Sequence, residues 1–205
     1  MSESAPEVEV EKTLGYRVVL TLVRGLTSLW VRRTVRGLEN LPQTGPALLV
    51  ANHQSYLDIP LIAASAHRRH VAFVARKSLA RSRFLDWLMG TCRAVRVEPG
   101  SSDRGALREM LAHLELGDLV AIFPEGTRTR DGRLGPFKKG ASLAARKARV
   151  PLVPVAIDGS FDCAPPGAWF PRPRRVTVTF CAPLDAQDPG ALERAREAIA
   201  EQLSG

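Results

Sequence analysis

The stretch from Ala47 to Pro60 reads A-L-L-V-A-N-H-Q-S-Y-L-D-I-P. Its apolar run stops abruptly at Asn52-His53, and a carboxylate follows at Asp58. A short apolar run bounded by turn signals suits a buried strand. The polar residues after it suit a loop leaving the end of that strand. In open α/β sheets, ligands bind outside the carboxyl ends of the strands. An imidazole and a carboxylate therefore stand where chemistry is usually done.

The same pattern recurs along the chain. His70–Ala75, Ala94–Val97, Asp118–Phe123 and Leu152–Ile157 read as further strands, and Arg175–Phe180 alternates like a half-buried one. Pro154 points its strand to an edge or irregular position. Val35 ends a short strand before the turns at Gly37, Pro42, Gly45 and Pro46. Helices are expected from Ile59 to Ala66, over Phe84–Met89, from Ser101 to Glu115, up to Ala148, and from Asp188-Pro189 onward. In the Ser101 helix, Leu107, Met110, Leu111 and Leu114 fall on one face and Gly117 closes it. Strands alternating with helices predict an α/β fold, a mixed and largely parallel sheet flanked by helices.

An N-terminal amphipathic helix precedes the first strand, from about Leu14 to Arg33. Val18, Val19, Leu22, Val23, Leu26, Leu29 and Trp30 share a broad face at the helical period. Arg17, Thr21, Arg24, Ser28 and Arg32 fall opposite. Its apolar runs are far shorter than the ~20 residues that span a bilayer. Two fates are open: packing on the core, or lying in a membrane interface with Trp30 as an anchor. Residues 162–174 form a Pro-rich loop in which Trp169 and Phe170 are expected to pack, the alternative being that they add to a membrane-facing surface.

The chain of 205 residues has a formal charge of +8, although its first twelve residues are acidic. The remainder is thus basic enough to attract anionic lipid, nucleic acid or phosphorylated substrates. The three cysteines form no C-x-x-C pair, so neither a disulfide framework nor a zinc site is suggested. A reducing, cytosolic setting is the simplest reading, and the acidic N-terminus does not read as a signal peptide.

Three groups of residues carry chemistry. In the first, Asp58 lies five residues beyond His53, across a turn. It can reach one ring nitrogen and leave the other free. An unperturbed His, with a pKa of roughly 6.5, suits general-base work near neutral pH. The plainer alternative is a loop His and a helix-capping Asp. The second group, Phe123-Pro124-Glu125-Gly126-Thr127-Arg128, also follows an apolar run directly. Gly126 permits close backbone approach, Thr127 offers a hydroxyl, and Arg128 can take a phosphate bidentately. Arg130, Lys138 and Lys139 add positive potential. The third is Arg76-Lys77 with Arg81, Arg83, Arg93 and Arg96.

These blocks resemble those of the glycerolipid acyltransferases. Asn52-His53 through Asp58 is similar to their H-x-x-x-x-D block, Phe123–Arg128 to their E-G-T-R block, and Val153–Ile157 to their V-P-V-A/P-I block. The likeness runs from about Leu14 to Phe180. One block departs: Lys77 and Leu79 fit loosely, and Pro99 stands where the family usually carries an Arg.

The resemblance implies an enzyme that moves a fatty acyl group from acyl-CoA or acyl carrier protein to the free hydroxyl of 1-acyl-glycerol-3-phosphate, giving phosphatidate. His53 would be the base and Asp58 its orienting partner. Glu125, Gly126, Thr127, Arg128 and Lys77 would bind the acceptor, and Asn52 and Ser55 would shape the turn or an oxyanion site. No metal or bound cofactor is implied. The expected organisation is a disordered acidic lead over residues 1–12, a membrane-associating helix over 13–34 and an acyltransferase domain over 35–205, on the cytoplasmic face of the membrane. The expected partners are a phospholipid surface, the lysophospholipid and the thioester donor, and no nucleic acid. Pro99 keeps another acceptor open, such as a lyso-aminolipid. A thioesterase, or a non-catalytic basic module, are the further alternatives.

Overall fold

In the computed structural model the described residues are 14–66, 69–76, 95–97 and 103–203. Strands β1 (Arg33–Arg36), β2 (Ala47–Ala51), β3 (Val71–Arg76), β4 (Val95–Val97), β5 (Leu119–Ile122), β6 (Leu152–Asp158) and β7 (Val176–Phe180) form one sheet. Their order is β1-β7-β6-β2-β5-β3-β4. From β6 to β4 all neighbours are parallel, β7 is antiparallel to β6, and β1 is parallel to β7. The expected mixed, largely parallel α/β sheet is thus observed. The lead, the Phe84–Met89 helix, Lys77, Leu79, Arg81, Arg83, Arg93 and Pro99 lie outside the described residues.

The helices are α1 (Leu14–Leu29), α2 (Asp58–Ser65), α3 (Asp103–Glu115), α4 (Leu143–Ala148), α5 (Ser160–Cys163) and α6 (Ala191–Leu203). Every residue of β2 is fully buried, because helices cover both faces of the sheet there. Ala47, Leu49 and Ala51 point into a layer with Leu61 and Ile62 of α2. Leu48 and Val50 point the other way, toward Leu114 of α3, Ala144 and Ala145 of α4 and Ala195 of α6. Gly117, at φ +81°, ends the turn after α3 in the left-handed conformation that a C-terminal cap requires.

One expectation is narrowed and one element is new: of an edge or an irregular position, Pro154 takes the second. Pro154 is in an interior strand, between β2 and β7. Its carbonyl accepts from Cys181 N at 2.9 Å, just past the last residue of β7, and Leu152 pairs with Leu184 beyond that. The missing N–H therefore falls in a break of the β7 ladder, where no bond is lost. The four-residue helix α5 is not anticipated: it is one turn at the entry to the Pro-rich segment, too short to show a hydrophobic period.

α1 packs on α2, with Leu20, Thr27 and Val31 buried. The packed side is rotated from the broad apolar face expected of it. Leu22 and Leu29 of that face remain 69% and 86% exposed, and Val18 is exposed beside them. Among the described residues no helix is long and apolar enough to cross a membrane.

Candidate active site

β2 and β5 are neighbours in register, with Leu48 opposite Val120 and Val50 opposite Ile122. Their loops consequently leave the carboxyl edge of the sheet side by side. β2 is also the switch point: the chain goes from it to β3 and β4 on one side, returns to β5, then crosses to β6 on the other.

Asn52 extends β2 with its side chain. Its Nδ2 donates to Ile157 O at 2.9 Å, and its Oδ1 accepts from Ile157 N at 2.8 Å. The amide thus satisfies both polar groups of a buried β6 residue where the β2 backbone turns away. His53 follows as the chain bends. Its backbone N–H donates to Glu125 Oε1 at 2.8 Å, and its carbonyl accepts from Thr129 N at 2.9 Å. The two loops are therefore joined through the main chain of His53.

The imidazole is fixed on two sides. Nδ1 lies 2.9 Å from Asp58 Oδ2, and the ring stacks on Phe123 at a centroid distance of 4.0 Å. The His53 side chain is 17% exposed, whereas that of Asp58 is 0% exposed. Asp58 is the first residue of α2, and its Oδ2 also accepts from Gln54 N at 2.7 Å and Ser55 N at 2.8 Å. A carboxylate facing Nδ1 places the ring proton there, leaving the Nε2 lone pair for a reactant. Asp58 Oδ1 is buried and has no hydrogen bond from the described residues.

Glu125 braces the second loop. Its Oε2 accepts from Gly135 N at 3.0 Å while Oε1 holds His53 N. Gly126, at φ +76°, lies under the Lys138 side chain, so a Cβ there would collide with the ammonium and would be strained besides. Thr127, Arg128, Arg130, Arg133 and Lys138 then line an open depression of about 550 Å³ with Glu125 at its inner end. Among the described residues nothing bonds the Arg128 guanidinium, which is exposed.

Burial pushes the Glu125 carboxyl above its ordinary value of 4.5, with the Asp58 charge adding to the rise. The bonds from His53 and Gly135 and the His53 charge oppose it. The protonated acid is then favoured by folding. The stability it contributes is complete below about 4.5 and is lost as pH rises through the raised value. Replacing Glu125 by Gln should flatten the fall of melting temperature with pH over that window, although it weakens the brace. Melting curves of both proteins across the acid range check this, and equal slopes reject it.

The structure brings His53, Asp58, Glu125, Gly126, Thr127 and Arg128 to one edge of the sheet. Of the roles expected for Asn52 and Ser55, the geometry fits shaping the turn and not an oxyanion or substrate contact. Asn52 is inward and fully bonded, and Ser55 is buried, its Oγ donating to Ala164 O at 2.7 Å and accepting from Leu57 N at 3.1 Å. Both shape the turn. Phe123 was overlooked because a strand-end Phe looks like core. Gln54 was overlooked too: its amide reaches Gly132 O at 2.9 Å and Ser160 Oγ at 3.4 Å, linking the loops after β2, β5 and β6.

Several known proteins are similar to this chain. A family model described as Acyltransferase matches residues 32–158. A chloroplastic 1-acyl-sn-glycerol-3-phosphate acyltransferase of Brassica napus is 37% identical over 83% of this chain and 50% of its own length. The human 1-acyl-sn-glycerol-3-phosphate acyltransferase alpha is 33% identical over 74% of this chain and 52% of its own. The chain thus spans about half the length of these relatives. The crystal structure of the 1-acyl-sn-glycerophosphate acyltransferase PlsC of Thermotoga maritima superposes with a TM-score of 0.75 at 30% identity, covering 96% of this chain and 82% of that one.

Proposed function

The chain belongs to the acyltransferase family, and we propose that it transfers a fatty acyl group from a thioester to the free hydroxyl of 1-acyl-glycerol-3-phosphate, yielding phosphatidate. The observation that carries this reading is the His53–Asp58 pair joined through the His53 main chain, N–H to Glu125 and carbonyl from Thr129 N, to a loop rimmed with arginines. A base and a phosphate site are thereby held at a constant separation.

In this reading His53 Nε2 takes the hydroxyl proton as the oxygen attacks the thioester carbonyl. The C–O bond forms and the carbonyl π pair moves onto its oxygen. Collapse of that tetrahedral centre breaks the C–S bond, and the imidazolium returns the proton to the leaving sulfur. The products are an ester and a free thiol, with no acyl-enzyme. Asp58 holds the ring and stabilises its positive form. Its Oδ1, buried with no described partner, makes a cationic neighbour more favourable still. Arg128 takes the acceptor's phosphate. The donor is acyl-CoA or acyl carrier protein, neither resident on the enzyme. The exposed Val18, Leu22 and Leu29 stripe of α1 seats in the bilayer interface that supplies the lipid acceptor.

The test is a purified assay with labelled acyl-CoA and acyl carrier protein against a panel of lysolipids. Acylation of lysophosphatidate is expected. Arg128→Ala should raise its KM by about tenfold or more, the loss of a charge-assisted bond, with a smaller change in kcat. An unchanged KM would remove Arg128 from the phosphate site. Preference for a lyso-aminolipid would change the acceptor, and release of free fatty acid alone would make the protein a thioesterase.

A further inference from the structure

The segment after α5 ends in the sequence W-F-P-R-P-R-R, from Trp169 to Arg175. Trp169 is 98% and Phe170 69% exposed, so the expectation that they pack within their loop is corrected. Two adjacent exposed large aromatics are unusual on a water-facing surface. Nor does the loop hang free. Pro166 and Gly167, the latter at φ +91°, form the centre of a turn closed by Ala168 N to Pro165 O at 3.0 Å. Arg172 N donates to Cys163 O at 2.7 Å, and Cys163 Sγ donates to Arg172 O at 3.0 Å. The aromatic tip is therefore built to be held out.

It is also continuous with α1. Trp30, just past the helix, donates from Nε1 to Pro171 O at 3.0 Å and meets Phe170 edge to face at 5.7 Å. Leu29, adjacent in sequence, begins the exposed stripe of α1. Exposed cations accompany both parts: Arg172, Arg174 and Arg175 follow the aromatic tip in the chain, and Arg17 and Arg24 of α1 and Arg32 just after it are exposed on flanks of the helix away from the stripe.

We infer that Trp169 and Phe170 are a second bilayer anchor, which with α1 forms one apolar surface accompanied by exposed arginines and docked on anionic lipid. Aromatic side chains sit well at a membrane interface, and the arginines match anionic headgroups. The anchor has a consequence for the site. Ala164, at the base of the loop, accepts the Ser55 Oγ bond within the His53–Asp58 turn. Docking thus fixes the catalytic turn relative to the lipid surface. This orienting role rests on the proposed lipid acyltransferase activity, whereas vesicle binding does not.

The test is flotation of the full chain with phosphatidylcholine vesicles, with and without phosphatidylglycerol. Trp169→Ser/Phe170→Ser should weaken partitioning about tenfold or more on both, by removing buried apolar area. Arg172→Gln/Arg174→Gln/Arg175→Gln should weaken it roughly fivefold per arginine, on the phosphatidylglycerol vesicles only. Leu22→Ser/Leu29→Ser tests α1 separately, and circular dichroism verifies that each variant is folded. Partitioning unchanged in the aromatic variant overturns the proposal, even if that variant alters self-association or protein binding. Loss in the α1 variant alone overturns it too, while keeping the helix at the membrane. Loss in the aromatic variant supports the anchor even if the lysolipid panel shows no acyl transfer, a result that would remove only the activity.

Discussion

His53→Ala lowers kcat for acyl transfer by about 10²–10⁴-fold, the range attributed to a positioned general base, with the fold intact. The reason is local. The structural bonds at this residue come from its main chain, to Glu125 Oε1 and from Thr129 N, and both survive truncation. What is lost is the imidazole: Nε2, the Nδ1 bond to Asp58 Oδ2 and the stacking contact with Phe123. The check is single-turnover acyl transfer by the purified variant, with its melting curve recorded beside the parent's. Turnover retained within a few-fold would end the general-base assignment. Turnover lost together with the cooperative melt would make the residue structural.

Asp58 should behave differently, because it serves the fold and the chemistry through one atom. Its Oδ2 accepts from His53 Nδ1, Gln54 N and Ser55 N. Asp58→Ala strips the two backbone donors of their buried partner, at roughly 1–3 kcal/mol each. For a chain of this size that is a melting-temperature fall of about 4–24 °C. Asp58→Asn keeps an oxygen for the backbone, so its melt should move less. It removes the charge that stabilises the imidazolium, and its amide can favour the wrong tautomer, so kcat should still fall by orders of magnitude. Comparing melts and turnover of the two variants separates the roles. A similar melt for Asp58→Ala and the parent would disprove the bracing role; full activity in Asp58→Asn would disprove the catalytic one.

The pair was legible in the sequence because everything that places it is near in the chain. An apolar run ends, a turn follows, and a helix begins at the carboxylate five residues on. The Glu125–Arg128 loop was legible for the same reason, as a glycine and cations directly after β5. The roles of Asn52 and Ser55 were not. Asn52 bonds a residue 105 positions away, and Ser55 one 109 positions away. No pattern around Asn52 shows that Ile157 needs its amide. Glu125 belongs to both cases: its position was plain, but its bond to His53 N, across 72 positions, was not.

Surface and core were separated less well. Hydropathy marked Leu22, Leu29, Trp169 and Phe170 as apolar, and the amphipathic reading of α1 allowed either burial or a membrane. Which side of α1 is covered depends on how α2 meets it, and α2 covers the side of Leu20, Thr27 and Val31. That choice is made by packing between elements, and it leaves Leu22 and Leu29 outside.

By itself, then, the sequence determined where the strands run and which reactive side chains stand at their ends, because both follow from short-range periodicity and turn chemistry. Tertiary structure alone decided that β2 lies between β5 and β6, so that His53 meets Glu125 and Asn52 meets Ile157. It also decided which apolar side chains stay exposed. Strand order and helix docking are set by contacts between residues far apart in the chain, whose identities no local window contains.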